Sequence, residues 1–503
     1  MNMQLANIAI IVQVGGIATS LLFLALSAAY IVRRRQYQFS LNAWLKRQDA
    51  RRIVLALIAL GILFRAATIC MLTQSDEAVY LMMARSIAEG KIVYRDFFAL
   101  QPPAAYLAYG LMFRTFGVGI LQAKIIPLTF SVGLILLVHH TARTLYGPNA
   151  GLASLSIASL TTGLVVLTRS TLLYAECLFF STLAVHLVLT TRGRHRLAFL
   201  LAGLCAGAAS SCRLFGLYSA AAILIHIALA RKNVVESGVC FIFGFLAVTA
   251  PMLHYYGMDA LRDVVLYNAL ERPTASLADR LWGLVNDSRY LHALPVVLGF
   301  MGVYALWKER KLGDAERLLL LWVALALTGT LVVNQSVQRI YASYFVASVP
   351  ALAILGGNAI RLKDATVATA FITLAFMALV YNTAYTLTDA DYFIQQTRLA
   401  ESLREASPSL VVSGSSPYAQ AVAFLSGRRM LSDVIGTDVP FDVSAGGVDK
   451  FVEEMKVKPV AVVLADDVNP DMRAVRAYVV GHCQRTEKTP QEELYVCNEP
   501  TVS

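Results

Sequence analysis

Two adjacent carboxylates, Asp76 and Glu77, lie just after an apolar segment that is long enough to cross a membrane. A carboxylate at this position is able to take a proton from a substrate hydroxyl as a general base, or to bind a divalent cation. The residues that follow, up to Gln101-Pro102-Pro103, mix Arg95 and aromatic side chains with apolar residues at helical spacing. Because a proline pair resists helix formation, the pattern predicts one or two helices on the membrane surface that close in a fixed turn.

Later segments carry further polar residues at the same predicted membrane face. These are Arg169, Glu176, Arg213, Asn268, Glu271, Arg272, Gln338, Arg339 and Tyr344. An arginine inside a span costs about 2.5–3.5 kcal/mol on the insertion scale, so arginines at this depth usually have a partner. The planar guanidinium group binds phosphate through paired hydrogen bonds. Each residue taken singly also fits a helix-end charge or an interface contact, but together they predict a site for an anionic lipid head group.

The elements that position these residues must be membrane helices. The chain has 503 residues, of which 57% are hydrophobic and 15% are charged. Soluble proteins average about 45–50% apolar and about 25% charged residues, so the composition excludes a soluble enzyme, a disordered chain and a fibrous repeat. The seven cysteines show no zinc-type spacing and are too few for a disulfide-dense scaffold. We therefore expect a polytopic α-helical membrane protein.

Twelve apolar segments approach the roughly 20 residues that a bilayer span needs. They comprise residues 8–32, 53–72, 120–142, 148–168, 177–191, 197–212, 214–230, 234–254, 291–307, 317–335, 341–360 and 365–388. The first is too long for a cleavable signal peptide and is followed by three arginines. Residues 104–116 are too short for a span, and we expect them to form a helix in the outer interface.

The distribution of basic residues predicts the orientation. With the N-terminus outside, the inner loops carry 19 Lys and Arg in 45 residues and the outer loops carry 11 in 94. This contrast follows the positive-inside rule and gives no reason to expect nucleic-acid binding. It places the first outer loop, residues 73–119, and the whole C-terminal tail on the outer face.

The tail, residues 389–503, is predicted to be a small extracytoplasmic α/β domain that follows a transmembrane domain of residues 1–388. It has a net charge of −6, and its apolar runs shorten to strand length at 410–412 and 460–464. Helical patterns lie at 392–406 and 448–456, and turn signals separate them. Cys483 and Cys497 either form a disulfide or remain two free thiols. The tail either covers the membrane cavity, meets a substrate, or is a passive cap.

The first outer loop resembles that of the GT-C glycosyltransferases. The resemblance lies in SDEAVY, AEGKIVYRDFF and QPPAAYL, and it continues in TRSTLLYAE, GLCAGAASSCR, NALERP and SVQRIYASYFVASVP. The most similar branch is the protein-mannosyltransferase-like group, which includes the aminoarabinose transferases acting on lipid A. The match is ordered over roughly residues 53–360, and the loop from the acidic pair to the proline pair is its specific part.

Several site roles are implied by this resemblance. Asp76 matches the catalytic acidic residue, and Tyr80 matches an aromatic residue of the same helix. Arg272 matches the arginine that meets the donor phosphate. Arg213 matches a basic residue that ends a helix of small residues, and Tyr344 matches a tyrosine near the lipid phosphate.

The sequence also departs from the family pattern. Gln101 replaces the usual His or Lys before the proline pair, Arg213 replaces the usual Lys, and Glu176 stands where Asp is common. The first span is additional to the simplest family layout. These departures leave the catalytic core in place, but they leave the acceptor and the use of a metal open.

The resemblance implies an inverting hexosyl- or pentosyltransferase in the inner membrane of a bacterium. It would move a sugar from a polyprenyl-phosphate donor to an acceptor hydroxyl on the periplasmic side. A glycolipid of the lipopolysaccharide type is the favoured acceptor, and a protein is the other. Asp76 would act as the general base, with Glu77 and Glu176 beside it. No cofactor is required, although Asp76 and Glu176 could share a divalent cation.

Other functions fit the sequence less well. A transporter or flippase of an anionic lipid-linked sugar would show an internal repeat and ionisable residues near the bilayer midplane. A non-catalytic scaffold would leave the acidic pair and the arginines unexplained. An oligosaccharyltransferase would carry a WWD-like motif in its outer domain, and the sequence has none.

Overall fold

The computed structural model describes most of the chain. The described residues are 50–73, 75–190, 196–229, 233–271, 276–332, 344–361, 365–415, 418–431, 448–465, 470–490 and 492–497. The first predicted span, residues 8–32, therefore lies outside them, as do Arg272 and Arg339.

Most helices of the body coincide with the predicted apolar segments. The helices are α1 (Ala50–Ala66), α2 (Ser75–Ala88), α3 (Ala104–Phe116), α4 (Ile120–Tyr146), α5 (Pro148–Leu160), α6 (Thr162–Thr168), α7 (Tyr174–Thr190), α8 (Arg196–Cys212), α9 (Gly216–Leu229), α10 (Val234–Leu261), α11 (Leu277–Leu291), α12 (Ala293–Lys308), α13 (Asp314–Val332), α14 (Val349–Gly356) and α15 (Ala365–Glu405). A π-helix, Arg262–Glu271, continues α10, and 3-10 turns flank α14. The other eleven predicted spans each contain helical residues.

Within the described residues, two helical segments are long and apolar enough to cross a membrane by themselves. They are Ile120–Tyr146 and Val234–Leu266. Helices α5 and α6 form a third such segment if they are counted as one span bent by 61°. Shorter apolar helices of 10–17 residues are also present, among them Tyr174–Thr190 and Arg196–Cys212. The predicted number of twelve spans remains a prediction.

The first outer loop folds as two helices joined by a compact turn. Helix α3 has the bounds that the sequence predicts for the short interfacial helix, 104–116. Between α2 and α3, the Tyr94 hydroxyl donates a 2.6 Å hydrogen bond to the carbonyl of Gln101. Pro102 and Pro103 are buried, and Pro103 directly precedes α3. A proline is tolerated at a helix start because its missing N–H has no partner there.

Small residues allow close packing in the helical body. A Cβ atom built on Gly203 of α8 would lie 2.0 Å from the Phe241 carbonyl oxygen of α10, and one on Gly244 of α10 would lie 2.2 Å from the Leu200 carbonyl oxygen. The two backbones therefore touch, as is usual where membrane helices associate through small residues.

The last predicted span and the first helix of the tail are one helix. Helix α15 has 41 residues and passes without a break through the predicted boundary at residue 388. The predicted helix at 392–406 is therefore the end of α15, because the drop in hydropathy at this point does not interrupt helix-forming residues.

The C-terminal part contains a four-stranded mixed sheet. Its elements are β1 (Val411–Gly414), α16 (Tyr418–Ser426), α17 (Val448–Val457), β2 (Val460–Ala465), α18 (Pro470–His482), β3 (Gln484–Lys488) and β4 (Glu492–Cys497). The strand order is β1-β2-β4-β3, in which β1 and β2 are parallel and the other pairs are antiparallel. Cys483 and Cys497 form a disulfide at the end of the β3–β4 pair.

Both faces of this sheet are covered. Along β2, Ala461 and Val463 belong to the hydrophobic core that extends into the helical body, whereas Val460, Val462 and Leu464 belong to a second core. Successive side chains of a strand point to opposite faces, so an unbroken apolar run indicates a strand buried on both sides. The tail is therefore joined to the helical body through one face of its sheet.

Candidate active site

The first turn of α2 carries two carboxylates in different environments. Asp76 is partly exposed, whereas Glu77 is fully buried. Glu77 accepts hydrogen bonds from the Thr73 backbone N–H at 2.5 Å, the Thr73 hydroxyl at 3.0 Å and the Thr171 backbone N–H at 2.7 Å. It also forms a 2.6 Å ion pair with Lys124. Glu77 is therefore enclosed by its protein partners, and Asp76 is the more exposed carboxylate of the pair.

One turn further along α2, Tyr80 faces the same region. Its ring lies 5.3 Å from the ring of Tyr106 on α3. Burial raises the pKa of Tyr80 above its usual range, Arg213 opposes this increase, and Asp76 adds to it. The phenol therefore stays protonated at neutral pH, and it lies within electrostatic range of both Asp76 and Arg213.

Arg213, which follows α8, is a buried cation surrounded by aromatic rings. Its guanidinium carbon lies 4.0 Å from the centre of the Tyr174 ring and 5.2 Å from that of Phe215. The side chain is 6% exposed, and it donates a hydrogen bond to the carbonyl of Leu172. Among the described residues, its Nε atom has no hydrogen-bond partner. A buried cation that is compensated by rings and a carbonyl is suited to bind an anion.

Tyr344 joins this aromatic group from a distant part of the chain. It follows the undescribed residues 333–343 and directly precedes Phe345. Its ring packs edge-on against Phe215 at 5.1 Å, and its phenol lies within electrostatic range of Arg213. Tyr80 thus lies within electrostatic range of Asp76, Arg213 and Tyr344, and these four residues come from three separate segments of the chain.

Glu176 lies in the first turn of α7, beside the same cluster. It is 3% exposed, and its Oε1 atom accepts a 3.0 Å hydrogen bond from the Tyr109 hydroxyl of α3. Its Oε2 atom has no hydrogen-bond partner among the described residues. Glu176 also lies within electrostatic range of Arg213. The second predicted carboxylate is therefore near the cluster, and a tyrosine that the sequence analysis did not single out holds one of its oxygens.

Three other predicted substrate-binding residues have protein partners. Arg169 forms a buried ion pair with Asp389 of α15, because a guanidinium at this depth needs a counter-charge. Its guanidinium group therefore has a counter-charge within the protein. Arg95 donates a 3.2 Å hydrogen bond to the carbonyl of Tyr255 and lies 5.5 Å from the centre of that ring. Gln101 contributes its backbone carbonyl to the turn described above.

Asp76 and Glu176 were predicted to share a divalent cation, and the described residues offer no third His, Cys, Asp or Glu ligand beside them. In the part of the chain that is described, no three His, Cys, Asp or Glu side chains come together as a metal site. One oxygen of Glu176 is bonded to Tyr109. The sharing of a divalent cation by Asp76 and Glu176 stays a prediction.

Comparisons with known proteins bear on the fold of the chain. A family model described as dolichyl-phosphate-mannose-protein mannosyltransferase matches residues 100–255. No curated protein sequence is significantly similar to the chain. The crystal structure of ArnT from Cupriavidus metallidurans bound to undecaprenyl phosphate is 13% identical, with a TM-score of 0.66 over 88% of this chain and 97% of that chain.

A second solved structure is similar over most of its length. The archaeal oligosaccharyltransferase AglB from Archaeoglobus fulgidus, in complex with an inhibitory peptide and a dolichol-phosphate, is 13% identical, with a TM-score of 0.55 over 84% of this chain and 70% of that chain. Both proteins are GT-C glycosyltransferases. The chain has a GT-C fold. The resemblance inferred from the sequence motifs is therefore confirmed.

Within this GT-C fold, two charged residues near the cluster were missed from the sequence. Lys124 of α4 and Asp389 of α15 are both buried, and each pairs with a residue that the sequence did single out. The sequence does contain a signal for such ion pairs, because a lone charged residue within an apolar helix usually has a buried partner of opposite sign. The partner itself cannot be read from spacing, since it lies 47 residues away for Lys124 and 220 for Asp389.

Proposed function

We propose that the protein is a membrane glycosyltransferase that moves a sugar from a polyprenyl-phosphate donor to an acceptor hydroxyl. One observation carries the proposal: a partly exposed carboxylate, Asp76, and a buried cation, Arg213, both lie within electrostatic range of the Tyr80 phenol, as does Tyr344. An acid–base group and an anion-binding group at one place are the two elements that this transfer requires. The GT-C fold and the matching family model support the same reaction class.

Asp76 is the general base of the proposed reaction. It takes the proton of the acceptor hydroxyl while the oxygen attacks the anomeric carbon of the donor sugar. The bond from that carbon to the phosphate oxygen breaks, and the lipid phosphate leaves with the electron pair. Attack opposite to the leaving group inverts the anomeric configuration. Positioned proton transfer contributes typically about 10²–10⁴-fold to such a step.

Arg213 stabilises the departing phosphate. Negative charge grows on the leaving oxygen during the transition state, and a preorganised cation in a water-poor site stabilises that charge without reorganisation. Tyr344, and by family resemblance Arg272 and Arg339, complete the phosphate side of the site. The protonated Tyr80 phenol is a hydrogen-bond donor between the base and the phosphate group.

Glu77 and Glu176 have supporting roles in this proposal. Glu77 accepts four charged or polar donors, and it fixes the first turn of α2 next to Asp76. Glu176, with one oxygen on Tyr109 and the other without a partner among the described residues, is proposed to face the sugar. Arg95 and Gln101 lie on the loop between α2 and α3, and they are proposed to contact the substrate.

The site is proposed to open on the outer face of a bacterial inner membrane, with twelve spans and a periplasmic tail. The basic inner loops support this orientation. The Cys483–Cys497 disulfide in the tail supports it independently, because disulfides persist in oxidising compartments. A glycolipid of the lipopolysaccharide type remains the favoured acceptor, since the site lies near the ends of membrane helices. A flippase is disfavoured because the charges cluster at one end of the helices and not at their middle.

Deletion of the gene, followed by mass spectrometry of envelope lipids and glycoproteins, tests this function. We expect one acceptor to lose the mass of one sugar and to regain it when the wild-type gene is restored. A strain whose lipids and glycoproteins keep every sugar mass would contradict the proposal. Loss of a lipid from the outer leaflet without loss of a sugar mass would favour the flippase.

A further inference from the structure

The N-terminal end of α2 is fixed by a buried ion pair. Lys124 Nζ lies 2.6 Å from Glu77 Oε1, and both side chains are almost completely buried. The same ammonium group donates to the Thr73 hydroxyl and to the backbone carbonyl of Arg169, each at 3.2 Å. Helix α2 is therefore tied, one residue after Asp76, to α4 and to the segment between α6 and α7.

Arg169 extends this network to α15. Its guanidinium group pairs with Asp389 and donates a 2.8 Å hydrogen bond to the Thr386 hydroxyl. Both charged side chains are buried, and buried charges are retained only where they are compensated. Helix α15 continues beyond Asp389 to Glu405, and the sheet begins six residues later at Val411. The network thus connects the first turn of α2 with the helix that leads into the C-terminal sheet.

The other end of α2 also contacts the C-terminal part of the chain. Arg85 donates hydrogen bonds of 3.0 Å to the carbonyl oxygens of Gly427 and Arg428, just after α16. Glu89, directly beyond α2, forms a 3.3 Å ion pair with Arg429. Helix α2 is therefore held at its first turn through α15 and at its last turn by the segment that follows α16.

We propose that Lys124 and Asp389 are positioning residues for Asp76, and that the C-terminal part of the chain is a working part of the site instead of a passive cap. This inference rests on the proposed role of Asp76 as general base. A base acts only within about 2.6–3.2 Å of the proton that it takes, so a small displacement of α2 lowers turnover. The donor phosphate is bound by Arg213, which does not belong to this network. Loss of Lys124 or Asp389 therefore lowers turnover and leaves donor affinity unchanged.

The test uses the full-length protein with Lys124→Met and Asp389→Asn. The matched control is Asp391→Asn, which makes the same change two residues further along α15. Among the described residues, the Asp391 carboxylate accepts a hydrogen bond from Gln395 alone. Amide hydrogen exchange of residues 75–88 reports the stability of α2 without any need for substrate. Binding of undecaprenyl phosphate reports the phosphate site. Sugar transfer is measured by complementation of the deletion strain.

We expect both variants to increase amide exchange in residues 75–88 and to lower transfer about tenfold or more, with undecaprenyl phosphate affinity changed less than about twofold. The control should match wild type in all three measurements. Combining either variant with Asp76→Asn should lower transfer no further than Asp76→Asn alone, because the effects of mutations that act through one group are not additive. If Lys124→Met does not insert, Thr386→Val, which removes one acceptor of Arg169, should show smaller changes in the same direction.

Unchanged transfer in Asp389→Asn and Lys124→Met would overturn the inference, and so would a loss of transfer with normal exchange in residues 75–88. A wild-type protein that transfers no sugar would instead overturn the proposed function. The exchange measurement would still report whether Lys124 and Asp389 hold α2 in place. The two failures are therefore distinguishable.

Discussion

Replacing Arg213 by lysine tests the anion site, because it keeps the charge and removes the planar group. The guanidinium lies 4.0 Å from the Tyr174 ring centre, and such a contact contributes about 0.5–2 kcal/mol depending on desolvation. Its charge-assisted hydrogen bond to the Leu172 carbonyl contributes about 1.5–3 kcal/mol, of which an ammonium group recovers a part. On the phosphate itself, lysine replaces the paired hydrogen bonds of the guanidinium group with a point contact, and losing one charge-assisted hydrogen bond of about 1.5–3 kcal/mol corresponds to about 10- to 150-fold in kcat/KM for the lipid donor.

The assay measures donor-dependent kcat/KM with the full-length protein in lipid nanodiscs. Arg213→Met should lose more than Arg213→Lys, because it also removes the charge. Arg317→Lys is the control, since Arg317 is an exposed side chain that pairs with Asp314 on α13. Wild-type kcat/KM in Arg213→Lys, together with a small loss in Arg213→Met, would refute the assignment of Arg213 to the donor phosphate.

Two further predictions concern the stability of the C-terminal part. Replacing Cys483 and Cys497 by serine opens a loop with a sequence separation of 14, which should lower the free energy of unfolding by about 3 kcal/mol in the chain-entropy account. Equal Tm values for the variant and the oxidised wild type would contradict this. Burial raises the pKa of the Glu492 carboxyl above its usual value, so the folded protein binds the carboxyl proton more tightly than the unfolded chain. The free energy of unfolding of the protein therefore falls as pH rises through the raised pKa. Glu492→Gln should therefore raise Tm at pH 7 and leave it unchanged at pH 4, and a pH-independent difference would count against this account.

The positions of the helices were largely predictable from the sequence. A bilayer demands long apolar segments, and this demand leaves a strong pattern in hydropathy. Helix α3 was predicted to the residue, because Pro103 and Gly117 bound an apolar run too short to be a span. Strands β1 and β2 were located within one or two residues, since short apolar runs between turn signals are typical of buried strands.

The boundaries and partners were less predictable. Hydropathy falls after residue 388, but α15 continues because helix formation does not depend on hydropathy alone. The π-helix that follows α10 and the kink at Gly257, where φ is 56°, leave no periodic signal. Arg169 was predicted to bind substrate, yet its partner is Asp389, which is distant in sequence and was counted as part of a separate domain.

The site itself was predicted in its residue types and only partly in its arrangement. Asp76, Tyr80, Arg213 and Tyr344 were singled out, and Tyr80 lies within electrostatic range of the other three, while their roles stay predictions. The separate environments of Asp76 and Glu77 were not predictable, because adjacent residues of a helix face different directions and their neighbours come from other segments. The rings around Arg213 were missed for the same reason, since aromatic residues are common throughout the chain.

The most direct test of the central claim is sugar transfer by Asp76→Asn, measured together with binding of undecaprenyl phosphate in lipid nanodiscs. Asp314→Asn, an exposed carboxylate of α13, serves as the control. The account predicts that Asp76→Asn folds, binds undecaprenyl phosphate like wild type and loses about 10²-fold or more in kcat, because only the proton acceptor is removed. Wild-type turnover by Asp76→Asn would contradict the account.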